Sequence, residues 1–414
     1  MNLESVKAAK DRMEGVVIHT PLLVNHKLSQ RHQCNVLLKR EDMQTVRSYK
    51  IRGAYNKMAQ LNEPERSVGI VCASAGNHAQ GVALACAKLS IRGKIFMPTT
   101  TPGQKIKQVI SFGEEWVDVE LIGDSFDDAF NAAKTYSNAN KSVFIHPFDD
   151  PSIIAGQGTV GLELIEDTDE TIDFLLVPIG GGGLAAGISI VFKALSPKTK
   201  IIGVEPLGAP SMKESIACGS NKTLESIDSF VDGASVKRVG DLNFEICKVA
   251  LDHIVLIPEG KVCTTILELY NRDGIIVEPA GALTIAALDS LPADSIRGKN
   301  VVCIVSGSNN DITRTEEIKE RSMLYEGLKH YFLVRFPQRP GALREFVTTV
   351  LSNTDDITFF QFSKKNNRES GPAVVGIEVK NRNHFNDLTR RMNQNSLDFT
   401  YLNDNPVLLS QLIG

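Results

Sequence analysis

The stretch Phe174-Leu175-Leu176-Val177-Pro178-Ile179-Gly180-Gly181-Gly182-Gly183-Leu184-Ala185-Ala186-Gly187 opens a run of 19 uncharged positions that ends at Phe192. Such a run is long enough to raise a membrane span. Pro178 and four consecutive glycines, however, make a poor continuous helix. The better reading is a buried strand, a glycine loop and a helix start. Four residues without side chains let several backbone N–H groups converge on a phosphate, with the helix polarity assisting. No Lys-Ser or Lys-Thr follows, so this is not an ATP or GTP phosphate loop. A dinucleotide fold stays open, because Gly180, Gly182 and Ala185 fit G-x-G-x-x-A and Glu205 ends the next expected strand.

Outward from this stretch the same pattern repeats. Short β-branched runs alternate with helical periodicity from Val36 to about Asp311, the signature of a parallel α/β sheet. The expected strands are Val36 to Lys39, Val68 to Ala73, Lys94 to Met97, Trp116 to Leu121, Val143 to Ile145, Asp173 to Val177, Ile201 to Val204, His253 to Ile257 and Val301 to Val305. So many units predict two lobes with a cleft between them. Beyond Gly327 the pattern changes. Strand His330 to Phe336, helix Ala342 to Leu351, strand Ile357 to Phe362, a polar turn, strand Ala373 to Val379, helix His384 to Asn393 and strand Asp398 to Leu402 give the order βαββαβ of a ferredoxin-like unit. The expected division is therefore 1–320, a linker at 321–328, and a separate domain at 329–414.

Composition fits a globular protein: 414 residues, 42% hydrophobic and 23% charged, with a formal net charge of -4. That balance lacks the basic footprint of a nucleic-acid binder. The segment from Met1 to Gly15 mixes acids and bases and has no apolar core, unlike a signal peptide. Seven scattered cysteines (Cys34, Cys72, Cys86, Cys218, Cys247, Cys263, Cys303) show no zinc or redox spacing and read as reduced thiols of a cytoplasmic protein.

Three further motifs sit at the expected ends of strands. Ser48-Tyr49-Lys50-Ile51-Arg52-Gly53-Ala54 opens a helix, with Ser48 as the expected cap and Lys50 in the first turn, where the macrodipole disfavours an ammonium. Alone, such a lysine is weak evidence. Ser74-Ala75-Gly76-Asn77-His78 follows a strand and starts a helix, a junction whose free N–H groups suit a carboxylate. Ser306-Gly307-Ser308-Asn309 lies where open α/β sheets bind ligands. A phosphate cradle, an amine, an anion site and a hydroxyl match the parts of pyridoxal phosphate. A nicotinamide cofactor uses only the glycine loop and leaves Lys50 idle.

With Asp232-Gly233-Ala234-Ser235-Val236-Lys237, Glu278-Pro279-Ala280-Gly281-Ala282 and Phe336-Pro337-Gln338-Arg339-Pro340-Gly341-Ala342-Leu343 added, the chain resembles, along essentially its whole length, the fold-type II pyridoxal-phosphate enzymes and, within them, the biosynthetic threonine dehydratases, or threonine ammonia-lyases. The resemblance implies a two-lobed α/β catalytic domain like the tryptophan synthase β subunit, followed by one α+β, ACT-like regulatory domain. It implies that Lys50 is the Schiff-base lysine and the acid/base at the substrate α-carbon. Asn77 would meet the cofactor's phenolic oxygen, Gly180, Gly181, Gly182, Gly183 and Leu184 its phosphate, and Ser306 its pyridine nitrogen. Ser74, Ala75, Gly76, Asn77 and His78 would bind the substrate carboxylate.

The implied reaction is β-elimination of L-threonine to 2-oxobutanoate and ammonia, with L-serine a poorer substrate, L-isoleucine an inhibitor and the assembly a homotetramer. Serine dehydratase or racemase of the same fold is the alternative within this class. A nicotinamide-dependent oxidoreductase is the alternative outside it. Three departures stand out. Tyr49 replaces the usual phenylalanine. Ala75 replaces the serine that racemases use on the opposite face. Ser211 replaces an aspartate of the racemase metal site beside Glu205, so no metal is expected.

Overall fold

The computed structural model describes residues 1–362 and 369–413. Its contacts divide the chain into Met1–Ile312 and Thr313–Gly414.

The first unit holds two sheets. The larger runs in the order Leu22–Val24, Asn35–Arg40, Asn300–Val305, Phe174–Pro178, Lys200–Pro206, His253–Ile257. All neighbours are parallel except the first pair. The smaller has four parallel strands, in the order Val117–Leu121, Gly93–Met97, Ile70–Ala73, Val143–Phe144. Central strands such as Ile70–Ala73 are buried along their whole length, which is why they read as unbroken apolar runs in the sequence. Two expected boundaries move. Val68 ends helix Glu63–Val68, whose start is closed by a reciprocal Asn62 and Glu65 capping box, and the strand begins only after Gly69. Trp116 belongs to a short 3-10 turn ahead of its strand.

Three helices bring the site together. Helix Lys50–Ala59 is buried along most of its length and crosses helix Pro151–Glu166 at backbone contact: a Cβ on Gly156 would lie 2.4 Å from the Arg52 carbonyl oxygen. Two residues on, Gly158 meets Gly187 of helix Gly183–Leu195, where a Cβ on Gly187 would lie 2.6 Å from the Gly158 nitrogen. Helix Pro151–Glu166 thus carries the lysine helix on one side and the glycine-loop helix on the other.

The first crossing is also an ion cluster. Arg52 is 1% exposed and grips Glu41 at 2.7 Å through both Nε and Nη2, and Glu163 at 2.6 and 2.9 Å. Lys39, with no exposed surface, reaches Glu163 at 2.8 Å and Asp167 at 2.9 Å. Burial pushes the Glu163 carboxyl up, but Arg52 and Lys39 outweigh that and leave it below its ordinary range.

The second unit begins with helix Thr315–Glu326. Positions 321–328, expected as a linker, are instead the end of that helix and its left-handed cap Gly327 (φ 67°). The charged segment hid this because only Ile318 and Ser322 of the helix are buried. The antiparallel sheet that follows has the order Asp356–Phe362, Ser370–Glu378, Lys329–Pro337, Asp398–Tyr401, the ferredoxin-like arrangement. Helices Ala342–Thr349 and His384–Gln394 supply Phe346, Leu388 and Met392 to a core with Phe332, Val334, Val375 and Ile377. The polar turn expected between the second and third strands includes positions 363–368, outside the described residues. A last helix, Pro406–Ile413, was not legible from sequence. No described helix is long and apolar enough to cross a membrane.

Removing Arg52 leaves buried Glu41 without its cation and Glu163 with Lys39 alone, a defect that costs about 3–5 kcal/mol. Arg52→Ala is expected to lose that much in urea unfolding of the cofactor-loaded protein. A loss below about 1 kcal/mol would show that the cluster does not hold the lysine helix.

Candidate active site

Lys50 is the first residue of its helix, as expected, but Ser48 does not cap it. The Ser48 hydroxyl is buried without a partner, and the Ser48 backbone instead bridges to Gly307. The segment is pinned to the loop after strand Asn300–Val305 by Tyr49 N–H donating to the Ser306 carbonyl at 3.3 Å, Ser308 N–H to the Arg47 carbonyl at 2.9 Å and Asn309 Nδ2 to the Val46 carbonyl at 2.9 Å. Lysine and serine motifs, more than 250 positions apart, therefore form one rigid piece.

The Lys50 ammonium donates to the Pro147 carbonyl at 2.9 Å. Its pKa falls to about 8 because burial penalises the charge, while Glu278 opposes the fall. Burial, rather than the helix end expected from sequence, is the leading cause. The next residue, Phe148, lies against the glycine loop: a Cβ on Gly181 would lie 2.2 Å from the ring. Amine and loop thus meet on consecutive residues. The loop continues through Gly182, left-handed at φ 92°, into helix Gly183–Leu195, and Asn243 Nδ2 holds the Gly181 carbonyl at 2.8 Å. Leu184 keeps its side chain in the core and offers only its N–H. Beneath the loop Gln157 is 1% exposed, and neither polar atom of its amide has a partner. Its Oε1 lies 2.5 Å from where a Gly183 Cβ would stand.

Helix Asn77–Leu89 starts without a side-chain cap, leaving the N–H groups of its first turn to the cleft. Ser74 Oγ accepts from Gly76 N–H at 3.2 Å, which fixes the turn. The His78 side chain is turned elsewhere. It is buried, its Nε2 bonds the Ile145 carbonyl at 3.0 Å, and burial followed by Lys50 lowers its pKa to about 3. Only its backbone remains for an anion.

Two residues to which the sequence alone assigns no role are central. Glu278, 5% exposed, accepts from Asn77 Nδ2 at 2.6 Å, and Asn309 Nδ2 donates to Asn77 Oδ1 at 2.5 Å. The available signal was an acidic residue just before Pro279 at a helix start; in the structure it makes no capping bond. Glu205, the acid that a dinucleotide site needs, is 1% exposed and accepts from Met212 and Lys213 N–H at 2.7 and 2.9 Å. Its carboxylate is thereby engaged at the start of helix Ser211–Cys218.

Comparison with known proteins agrees with this geometry. Residues 13–307 match the family described as pyridoxal-phosphate dependent enzyme, and 320–412 the C-terminal regulatory domain of threonine dehydratase. The chain is 55% identical to L-threonine dehydratase biosynthetic IlvA of Halalkalibacterium halodurans, covering 100% of this chain and 99% of the relative. It is 52% identical to the protein of that name in Bacillus subtilis, covering 100% and 98%. Among solved structures, processed threonine deaminase isoform 2 from Solanum lycopersicum aligns with a TM-score of 0.74 and 42% identity, covering 78% of this chain and 87% of that one. Maize serine racemase aligns at 0.72 and 29%, covering 78% and 98%.

The chain belongs to the pyridoxal-phosphate-dependent threonine dehydratase family. It is a lyase of two-lobed α/β fold whose cofactor is pyridoxal phosphate. The residues present fit that group. The glycine loop is a cradle that side chains would fill, the orphaned Gln157 amide lies against it, and Lys50 supplies an amine of lowered pKa.

A lowered lysine pKa means more free amine near neutrality. At pH 7 a group of pKa about 8 is roughly 300 times more often neutral than one at 10.5. Capture of pyridoxal phosphate by cofactor-stripped protein should accelerate about tenfold per pH unit below about 8 and then level off. A rate still climbing beyond about pH 10 in rapid-mixing absorbance traces would contradict the buried amine.

Proposed function

We propose that the chain converts L-threonine to 2-oxobutanoate and ammonia, and that the observation carrying this reading is the meeting of the Lys50 amine and the glycine loop across Pro147 and Phe148. The relatives named biosynthetic threonine dehydratases support the substrate. Bound pyridoxal phosphate supplies a carbonyl that condenses with amines and a ring that accepts electrons from a breaking C–H bond. The chain's own residues do the rest. N–H groups of Gly180 to Leu184 would hold the phosphate and Asn77 the phenolic oxygen. The Ser306 hydroxyl, a neutral partner, would meet the ring nitrogen and would leave it unprotonated. The turn Ser74 to His78 receives the substrate carboxylate through its N–H groups. Lys50 takes the α-proton and keeps it at Nζ. Ala75 has only a methyl where a racemase has a donor, so this position returns no proton to the opposite face, which favours elimination.

The regulatory unit is matched to a family that serves threonine dehydratases. We assign L-isoleucine as its effector, a homotetramer as the assembly and the cytoplasm as the location. One buried methyl separates threonine from serine and is worth about 1–3 kcal/mol. L-serine should therefore react about tenfold or more less efficiently. The test is the initial rate of oxo-acid formation across threonine and serine concentrations, with and without isoleucine. The expected result is higher efficiency with threonine, a higher half-saturating threonine concentration when isoleucine is present, and no turnover by Lys50→Ala. Equal efficiencies for the two substrates would overturn the threonine assignment. Indifference to isoleucine would overturn the effector assignment alone.

A further inference from the structure

We propose that Glu278 is the positioning residue that fixes the Asn77 amide, so that one Asn77 N–H is presented to the phenolic oxygen of the cofactor. The proposal rests on the assignment of Asn77 made above and deepens it.

An asparagine amide rotates easily, and its two ends are alike in shape but opposite in hydrogen bonding. Asn77 is clamped at both. Its Oδ1 accepts from Asn309 Nδ2 at 2.5 Å and one Nδ2 hydrogen goes to Glu278 Oε1 at 2.6 Å. Asn309 Nδ2, which also donates to the Val46 carbonyl, can be met only by the oxygen end, and an ionised Glu278 accepts only from the nitrogen end. The second Nδ2 hydrogen is left pointing out of the clamp. Asn77 is only half-buried, which leaves room for a partner at that hydrogen. Glu278 in turn is seated against Gly307. Its backbone N–H donates to the Gly307 carbonyl at 3.2 Å, and its Oε1 would lie 2.5 Å from a Cβ on Gly307, a space that only glycine leaves open.

The charges around Glu278 give the clamp a pH dependence. Burial is the main cause that raises its pKa to about 7, and Asp232 adds to it. The Asn77 amide, Lys105 and the Asn309 N–H oppose that rise. Lys105 pairs with Asp232 at 2.6 Å. Burial raises the pKa of Tyr49 and Glu278 adds to that rise, while for Lys50 burial lowers the pKa and Glu278 opposes it, so its charge acts on both. A raised carboxyl is neutral below its pKa and charged above it. As the pH rises through about 7 the acceptor for Asn77 becomes an anion and its hydrogen bond strengthens.

The experiment compares pyridoxal phosphate with 3-deoxypyridoxal phosphate, which lacks the phenolic oxygen, as ligands of cofactor-stripped wild type, Glu278→Gln, Asn309→Ala and Asn77→Ala. Binding is read by equilibrium titration, and the absorbance of the bound cofactor is followed from about pH 6 to 9. Glu278→Gln is expected to bind pyridoxal phosphate about tenfold more weakly, to bind the deoxy compound as wild type does, and to lose the wild-type absorbance change near neutrality. Equal losses for both compounds, or none, would overturn the proposal. If Asn77→Ala discriminates between the compounds and Glu278→Gln does not, the proposal fails and the assignment of Asn77 stands. If Asn77→Ala does not discriminate, both fail. Where Glu278→Gln does not fold, Asn309→Ala, which removes the other half of the clamp, is read in the same two ways: selective weakening of pyridoxal phosphate supports the clamp, and equal or absent losses overturn it.

Discussion

The backbone contact between helix Lys50–Ala59 and helix Pro151–Glu166 is the constraint on which the site depends. Side-chain packing holds most helix pairs 8–10 Å apart. At Gly156 the absence of a Cβ lets the second helix touch the Arg52 carbonyl, and Gly158 does the same with Gly187 on the opposite side. The distance from the lysine to the glycine loop is therefore set by three backbones in contact and not by deformable side chains. Arg52 fixes the slide along the first crossing, because its two bidentate pairs are satisfied together only at one register. Gln157 lies between the two glycines, which explains how a buried amide comes to face the loop.

The same packing governs the electrostatics. Burial is the leading influence on Lys50, His78 and Glu278, yet the outcomes differ. His78 is driven so low that it is a neutral, fixed hydrogen-bonding group throughout the physiological range. Lys50 and Glu278 are brought toward neutrality from opposite sides, to about 8 and about 7. Groups poised there change charge at little cost, the property required of an acid/base pair or of its immediate support. Had Glu278 been absent, Lys50 would lie lower still, since the carboxyl is what opposes its burial.

Much of this was legible in the sequence, for a physical reason. Strands buried on both faces leave apolar runs, and glycine loops leave gaps in side-chain pattern. Strand His253–Ile257 was placed to the residue, and the ferredoxin-like order of the tail followed from alternation alone. Leu22–Val24 escaped because a three-residue edge strand with two exposed positions carries no period. The cap at Ser48 failed for a tertiary reason: the bridge to Gly307 sets the local backbone, and a serine there cannot turn to the helix start. Glu278 and Asn309 escaped as partners because each meets Asn77 from more than 200 positions away, where no local rule reaches.

The second unit shows where charge misleads the placing of boundaries. Helix Thr315–Glu326 looks like a solvated connector because it has almost no apolar face. Its ties are nonetheless to the sheet that follows. Tyr331 donates from its hydroxyl to Glu320, Lys329 lies within 3.6 Å of the same carboxylate, and Leu324 packs with Tyr331, Val374 and Leu402. A polar helix held by a buried phenol and a lysine belongs to the core that supplies them. The cluster of Tyr331, Val374 and Leu402 thus takes this helix as its first element, so the second unit begins near Thr313 and not at the first strand.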